Sequence, residues 1–368
     1  MRKSSSGYYL QLDGIRFIAV SLVLVDHLLA KVNTIPLGPL GVNLFFVLSG
    51  FLITGILIKS RDKNEGVPGG FGKYLKKFYI RRTLRIFPIY YLTIVLLYIF
   101  DVPPVRDTLW WCFLYGTNIW IAANEHWMGS IDHFWSLAVE EQVYIFMPFL
   151  IFLTPRKWFV KVFFIMSALS VLLRLYFHMA GYEWMVAYVT MPACLDAFGI
   201  GAFMAWLRIY QPEKFTRIFS QYWLVIISLI GWLLIVFWAK SLPGTHNIAN
   251  NVFERLFASI FGFFLIGSAV VGYRGWMGYI LENPVVSYFG KISYGMYLYH
   301  NFVYNHYHSG PTHPTVRLLN KIYQYVPALS HSLLFEFVLL FTLTVLAASI
   351  SWFMIEKPIN ALKDKYAK

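Results

Sequence analysis

Residues 40–59 read Leu-Gly-Val-Asn-Leu-Phe-Phe-Val-Leu-Ser-Gly-Phe-Leu-Ile-Thr-Gly-Ile-Leu-Ile-Lys, with no charge before Lys59. An α-helix rises about 1.5 Å per residue, so a run of about 20 apolar residues crosses the roughly 30 Å hydrocarbon core of a bilayer. The stretch predicts a membrane-crossing helix. The residues from Lys59 onward set its direction. Lys59, Arg61, Lys63, Lys73, Lys76, Lys77, Arg81, Arg82 and Arg85 face only Asp62 and Glu65 as counter-charges. Such an excess of Lys and Arg marks a loop held on the cytoplasmic side.

The rest of the chain has the same character. Of its 368 residues 58% are hydrophobic and 13% charged, with a mean hydropathy of +0.57. Soluble domains carry roughly a quarter charged residues. These numbers exclude an ordinary soluble enzyme, a disordered chain and a disulfide-stapled secreted domain. The net charge of +13 would suggest nucleic acid in a soluble protein. In a membrane protein it points to basic cytoplasmic loops, and no nucleic-acid partner is expected. Cys112 and Cys194 both sit in apolar stretches. They give neither a metal-ligand spacing nor a disulfide framework, and no metal is expected.

Further apolar spans fall near 13–31, 88–103, 134–154, 158–178, 185–208, 222–239, 251–273, 291–308 and 332–355, with an extra segment at 105–121. Basic stretches at Pro155-Arg156-Lys157, at Lys214 and Arg217, at Arg274 and Lys291, and at the tail Lys357, Lys363, Lys365 and Lys368 should share one side. That requires an even number of crossings between them. Counting 105–121 as a span breaks the parity between Arg85 and Arg156. The segment, lying behind Pro103-Pro104, is therefore expected to be re-entrant or interfacial. The expected fold is all-α: a polytopic membrane protein of about ten transmembrane helices, both termini cytoplasmic, forming a single domain over 1–368. Eleven spans would put the tail lysines on the outer face. Residues 70–86 carry apolar positions at helical spacing on a basic background, which predicts an amphipathic helix on the inner leaflet. Arg2 and Lys3 resemble the start of a signal peptide, but Asp13 and Arg16 interrupt the apolar run behind them.

Ionisable residues inside spans are costly and are functional candidates. Asp13 and Arg16 are three apart, share a helix face and can pair. Arg16 and His27 are eleven apart, roughly 16 Å along a helix and close to one face. Asp26 points elsewhere. Histidine titrates near neutrality and suits general-base work. A hydrogen-bonded structural histidine fits the same pattern. Arg82 and Arg85, also three apart, can form an anion clamp for phosphate oxygens or bind lipid headgroups. Ser49-Gly50-Phe51-Leu52 sits mid-span, and Val47 excludes a Gly-x-Ser-x-Gly nucleophile elbow. In His133-Phe134-Trp135-Ser136-Leu137-Ala138-Val139-Glu140-Glu141-Gln142-Val143-Tyr144, Trp135 is expected at the outer interface. Glu140, deeper, is expected either to orient the His27 ring or to pack as a neutral carboxyl. Arg174, His178, Asp196, Glu254, Arg255, His300 and Glu336 complete the set.

These blocks, in order, resemble the membrane-bound acyltransferase 3 family, the integral-membrane O-acyltransferases. Leu12-Asp13-Gly14-Ile15-Arg16 followed by His27 is similar to its opening motif. Phe45 to Leu52 resembles its second-helix signature, and Arg82-Thr83-Leu84-Arg85-Ile86-Phe87-Pro88 its cytoplasmic paired-arginine motif. Trp135-Ser136-Leu137 with Glu140, Gln142 and Tyr144, then Ser293-Tyr294, Tyr297-Leu298 and His300, then Glu356-Lys357-Pro358, match the later blocks. The resemblance implies transfer of an acyl group, commonly acetyl, from cytoplasmic acyl-CoA to a hydroxyl, usually of a sugar or glycan. His27 would be catalytic as base or acyl relay, with Glu140 beside it. Arg16, Arg82 and Arg85 would bind the acyl donor. Asp13, Ser49, Trp135, Glu141, Tyr144, Tyr294 and His300 would support the site. The expected location is the cytoplasmic (inner) membrane. Cys194 stands two before Asp196, where an arginine is often expected, which puts a role for Asp196 in doubt. Many relatives carry an extra soluble esterase-like domain. This chain stops at Lys368, so the expected form is a stand-alone one, acting alone or with a separate soluble partner. The other reading of buried Arg, Asp, Glu and His in ten spans is a proton-coupled transporter or flippase of a lipid-linked or glycan precursor.

Overall fold

The computed structural model describes residues 8–310 and 313–362. Arg2, Lys3 and the tail lysines Lys363, Lys365 and Lys368, on which the reading of the termini partly rests, lie outside the described residues. Helices succeed one another along the chain: α1 (Leu10–Leu28), α2 (Leu37–Asn64), α3 (Gly70–Ile99), the short α4 (Leu109–Phe113) and α5 (Thr117–Asn124), α6 (Phe134–Leu153), α7 (Phe159–Met179), short α8 (Trp184–Val189), α9 (Leu195–Tyr210), α10 (Pro212–Phe219), α11 (Trp223–Ser241), α12 (Arg255–Val271), α13 (Gly275–Leu281), α14 (Pro284–Tyr307), α15 (Pro314–Tyr325), α16 (Leu333–Ser351) and α17 (Lys357–Ala361). No strand occurs among the described residues. A π-helical turn, Ala249–Glu254, leads into α12, and another, Trp352–Glu356, joins α16 to α17.

Among the described residues, 8 helices are long and apolar enough to cross a membrane. The chain is an all-α polytopic membrane protein. The long helices α1 and α14 carry more polar residues and pack into the same bundle, against each other and against α2 and α16. Cross-links fix the register. Arg61, at the basic end of α2, donates to the Ile151 and Thr154 carbonyls at the end of α6, at 3.1 and 2.7 Å. Tyr210, ending α9, donates to Asp62 at 3.4 Å. At the far end Lys240, ending α11, donates to Thr34 at 3.3 Å.

Small residues let the central helices touch backbone to backbone. A Cβ on Gly50 would meet the Phe198 backbone, and one on Gly201 would overlap the Val47 carbonyl, so α2 and α9 interlock. A Cβ on Gly290 would overlap the Asp13 carbonyl, which seats α14 directly on α1. These contacts hold α1 at the centre with its polar residues turned inward.

The basic segment 70–86 is not a separate surface helix. It is the first half of α3, continuous through Pro88 to Ile99. Tyr74, Phe78, Ile86, Ile89, Tyr90 and Ile94 form one buried stripe at helical spacing, so the apolar face runs without a break into the span. Arg82 stands four residues from both Phe78 and Ile86, on that same stripe. Four tyrosine hydroxyls then anchor α3. Tyr74 donates to the Pro148 carbonyl at 2.9 Å and Tyr79 to Ile145 at 3.1 Å, both on α6. Tyr90 and Tyr91 donate to the Cys112 and Phe113 carbonyls at 2.8 and 2.9 Å.

Segment 105–121 is not one helix. It folds as α4 and α5 on either side of Tyr115, which has a φ of 52°. Neither helix is long enough to cross a bilayer, as the parity expectation required. Its irregular backbone is buried in protein. Gln142, on α6, donates to the Tyr115 carbonyl at 2.9 Å and to Asn118 at 2.8 Å. Non-helical backbone at such depth is tolerated where protein groups satisfy it.

Candidate active site

The basic side of α1 is fixed by its own ion pair. Arg16 Nη1 lies 2.7 Å from Asp13 Oδ1, and Asp13 is buried. Asp13 also accepts from the Tyr8 hydroxyl and from Ser287 Oγ at 3.4 Å. The guanidinium therefore has a set position, with N–H groups left over for a ligand. Beside it stand the α3 arginines. Arg85 is within electrostatic reach of Arg16, Arg82, Tyr144 and Glu140. Its side chain is exposed. Arg82 places its guanidinium carbon 4.1 Å from the Tyr144 ring centroid.

Glu140 belongs to this group. Its Oε1 accepts from the Tyr144 hydroxyl at 2.5 Å and from Ser49 Oγ, and Ser49 and Tyr144 are themselves 2.9 Å apart. The expected contact between Glu140 and His27 is therefore replaced. Glu140 meets the hydroxyls of α2 and α6 and the arginine field instead of the imidazole. Glu141 is buried and also faces Arg82 electrostatically. Tyr294 carries a buried hydroxyl with no hydrogen-bond partner among the described residues, near Glu140, Glu141 and Glu356. Glu356, which also reaches the field of Arg85 and accepts from Ser351 at 2.9 Å, is not singled out by the sequence as a site residue. Its only signal there is the Glu-Lys-Pro ending.

His27, near the far end of α1, meets His300 of α14. His27 Nδ1 is 3.0 Å from His300 Nε2, and His300 Nδ1 is 2.5 Å from the Tyr297 carbonyl. His133 packs its ring 5.1 Å from that of His300 and sets Nε2 3.0 Å from the Leu298 carbonyl. Below them Tyr297 and Ser136 are joined at 2.6 Å. Tyr297 is within electrostatic reach of Glu140, and its ring lies 5.4 Å from that of His300, so polar groups follow one another from the arginines to the three imidazoles. Sequence reasoning misses His133 as part of this polar column, because it lies just before the span.

His27 borders a cavity of about 430 Å³ at the far end. That size suits a small organic ligand. Its walls combine aromatic faces (Trp127, Trp135, Trp184, Tyr188 and Tyr297) with Asp26, Asp132, Glu254, Arg255, Asn250 and Asn251. Trp135, expected at the outer interface, is buried in this wall, packed 4.8 Å from Tyr188. Its indole also meets Phe46 edge-on and lies 5.9 Å from the Arg255 guanidinium. His246 stacks on Trp184 at 4.2 Å with planes 5° apart. Burial lowers the His246 pKa from its usual value and pushes the Asp132 carboxyl up to about 6. Asp26 is committed to Asn33 at 2.6 Å and the Leu37 amide at 3.2 Å.

Asp196 belongs to a buried ion pair whose arginine also lines the cavity. It is fully buried and pairs with Arg174 at 2.8 Å. Arg174 also donates to Ser170, the Ala193 carbonyl and the Val252 carbonyl. Where an arginine was expected at Cys194, α12 supplies one: Arg255 donates to the Cys194 sulfur and, at 2.8 Å, to the Tyr188 carbonyl.

The sequence profile of a family described as Acyltransferase domain matches residues 9–354. A protein of Staphylococcus aureus (strain COL), provisionally named an O-acetyltransferase, is 30% identical over 327 residues, covering 81% of this chain and 52% of its own length. The O-acetyltransferase OatA of Staphylococcus aureus (strain NCTC 8325 / PS 47) is 27% identical over 386 residues, covering 98% of this chain and 58% of its own. The chain spans about half the length of these relatives. No solved structure matches it.

Proposed function

The chain belongs to the acyltransferase 3 family, and from that premise we propose that it transfers an acyl group, acetyl in the simplest case, from cytoplasmic acyl-CoA to a hydroxyl of a sugar or glycan-like acceptor. The observation that carries this reading is the arrangement on α1. Arg16, beside Arg82 and Arg85, sits toward the basic end, and His27, roughly 16 Å further along the same helix, opens on a ligand-sized cavity at the other. In this reading the basic end faces the cytoplasm and the membrane is the cytoplasmic one.

The three guanidinium groups hold the donor's phosphates. Arginine forks suit phosphate oxygens, and a shared site for three cations favours a polyanion. The thioester arm follows the polar column to His27. There the acceptor hydroxyl loses its proton to His27 Nε2, and its oxygen bonds to the acyl carbon. The carbon–sulfur bond breaks, and the thiolate leaves as a thiol with the proton that His27 held. A relay through acyl-His27 keeps the same balance in two steps. Trp and Tyr faces with carboxylate and amide groups between them suit a ring bearing several hydroxyls: flat apolar C–H faces stack on the aromatics and hydroxyls bond to the rim.

Glu140 serves the donor side. With Tyr144 and Ser49 it balances the charge of Arg82 and Arg85 and keeps Tyr144 as the floor on which Arg82 stacks. The carrier reading gives no reason for three convergent arginines beside a histidine-bordered cavity.

The direct test incubates purified protein with acetyl-CoA, a small carbohydrate acceptor and a thiol reagent. Thiol release above that of His27→Ala, with acetylated acceptor found by mass spectrometry, is the expected result. Solute flux across proteoliposomes with no thiol release overturns the proposal.

A further inference from the structure

Among the described residues, no carboxylate hydrogen-bonds to the His27 ring. Asp26 is spent on Asn33 and Leu37, and Glu140 on Ser49 and Tyr144. The ring is held by another imidazole, and the protons of that pair can be assigned by tracing the hydrogen bonds outward from the backbone. A carbonyl oxygen can only accept. His300 Nδ1, 2.5 Å from the Tyr297 carbonyl, therefore carries a hydrogen. In a neutral ring the other nitrogen is then bare, so His300 Nε2 is an acceptor. His27 Nδ1, 3.0 Å from it, must be the N–H donor. One nitrogen remains. His27 Nε2 holds the lone pair, has no hydrogen bond among the described residues, and belongs to the ring that borders the cavity.

We propose that His300 is the positioning residue of the reaction: it fixes His27 as the Nδ1–H tautomer and leaves Nε2 as the only nitrogen able to accept a proton or an acyl group. This rests on the reading of His27 as base or relay. A neutral imidazole does here what a buried carboxylate does in a Ser-His-Asp triad, setting tautomer and orientation. When Nε2 takes a proton, the Nδ1–H bond to His300 becomes charge-assisted and strengthens. His133 locks the supporting ring. It lies against His300 and is itself tied by Nε2–H to the Leu298 carbonyl, one residue beyond the carbonyl that holds His300. Two adjacent carbonyls of α14 thus orient two imidazoles, and through one of them a third.

The test joins a spectroscopic readout to a kinetic one. The full-length protein in nanodiscs is labelled with ¹⁵N-histidine, and the His27 resonances are identified by their loss in His27→Ala. The expected wild-type spectrum shows His27 protonated at Nδ1 and bare at Nε2. His300→Gln keeps an acceptor oxygen for the Nδ1–H and should keep that tautomer, with kcat within about tenfold of wild type. His300→Leu offers no acceptor. It should give a mixed or Nε2–H spectrum and lower kcat on the order of a hundredfold, the scale seen when a supporting partner of a functional histidine is removed, with KM for acetyl-CoA unchanged. An Nε2–H tautomer in the wild type overturns the proposal, whether or not the leucine variant folds. So does a His300→Leu protein with wild-type spectrum and rate. If no acyl transfer occurs at all while the tautomer tracks residue 300 as described, the positioning role stands and the assigned function fails.

Discussion

Arg82 stacks on the face of Tyr144 at 4.1 Å, and the hydroxyl of that ring donates to Glu140 at 2.5 Å. One aromatic ring thus links the cation to the carboxylate. A cation over an aromatic face is worth about 0.5–2 kcal/mol. Arg82→Ala should raise KM for acetyl-CoA about tenfold or more and leave KM for the acceptor unchanged. Tyr144→Phe keeps the face and loses the hydroxyl, and should cost less. Steady-state kinetics varying each substrate checks both, and a shift confined to the acceptor KM sinks the donor assignment.

The separation of Glu140 from His27 gives a second prediction. His27→Ala should abolish transfer while the protein still inserts and purifies as a monodisperse species. Glu140→Gln should retain measurable turnover, because Gln still accepts from Ser49 and Tyr144, and its effect should appear in KM for acetyl-CoA. Equal losses of kcat in the two variants would place Glu140 back on the imidazole.

The buried Arg174–Asp196 pair should matter first for stability, and Arg174 also lines the cavity. Removing one partner leaves the other charge buried, at a cost of about 3–5 kcal/mol. Asp196→Ala should therefore lower the thermal midpoint in detergent sharply. The double change Arg174→Met, Asp196→Leu should recover only part of it, because the Ala193 and Val252 carbonyls lose their donor. Among folded molecules any change should fall on the acceptor KM, because Arg174 lines the cavity, and a selective rise in KM for acetyl-CoA would assign the pair to the donor side.

Asp132 supplies a pH signature. Its carboxyl goes from 3.8 to about 6 in the folded chain, because burial penalises the charged form. The folded state then holds a proton that the unfolded state releases. The stabilisation is fully present below 3.8 and is lost as pH rises through about 6. Asp132→Asn has no such loss. The difference in thermal midpoint, variant minus wild type, should grow from pH 4.5 to pH 7 and then level off. A difference independent of pH shows that Asp132 is ionised throughout.

Much of this architecture is legible in residue patterns. Apolar runs mark the long helices, and charge parity marks the non-crossing segment 105–121. The motif residues Asp13, Arg16, Ser49, Glu140, Tyr144 and His27 do line one polar column. Patterns do not say which of them touch. Spacing along one helix fixes Arg16 against His27, but the partner of His27 comes from α14, 273 positions away. Glu140 looks close to His27 on depth alone, yet it faces α2, because rotation about the α6 axis is set by packing. The stripe of α3 misleads at Arg82. A charge at a stripe position looks like the end of an apolar face, whereas the Tyr144 ring takes the half-buried guanidinium on its face. His133 gives little signal, lying outside any apolar run.

The backbone contact of Gly290 with Asp13 pins α1 in place, and this makes the helix a ruler. Arg16 and His27 are marks on one rigid rod, so under the proposed function the donor's arm must match the length between them. The rod cannot be adjusted finely. Inserting one residue moves the second mark by about 1.5 Å and also swings it by about 100° off the column. Only whole turns, in steps of about 5.4 Å, keep both marks on one face. If the proposed function holds, donor arm length is a quantised requirement, and variation in the acyl group is accommodated beyond His27, in the cavity wall, where side chains can change one at a time.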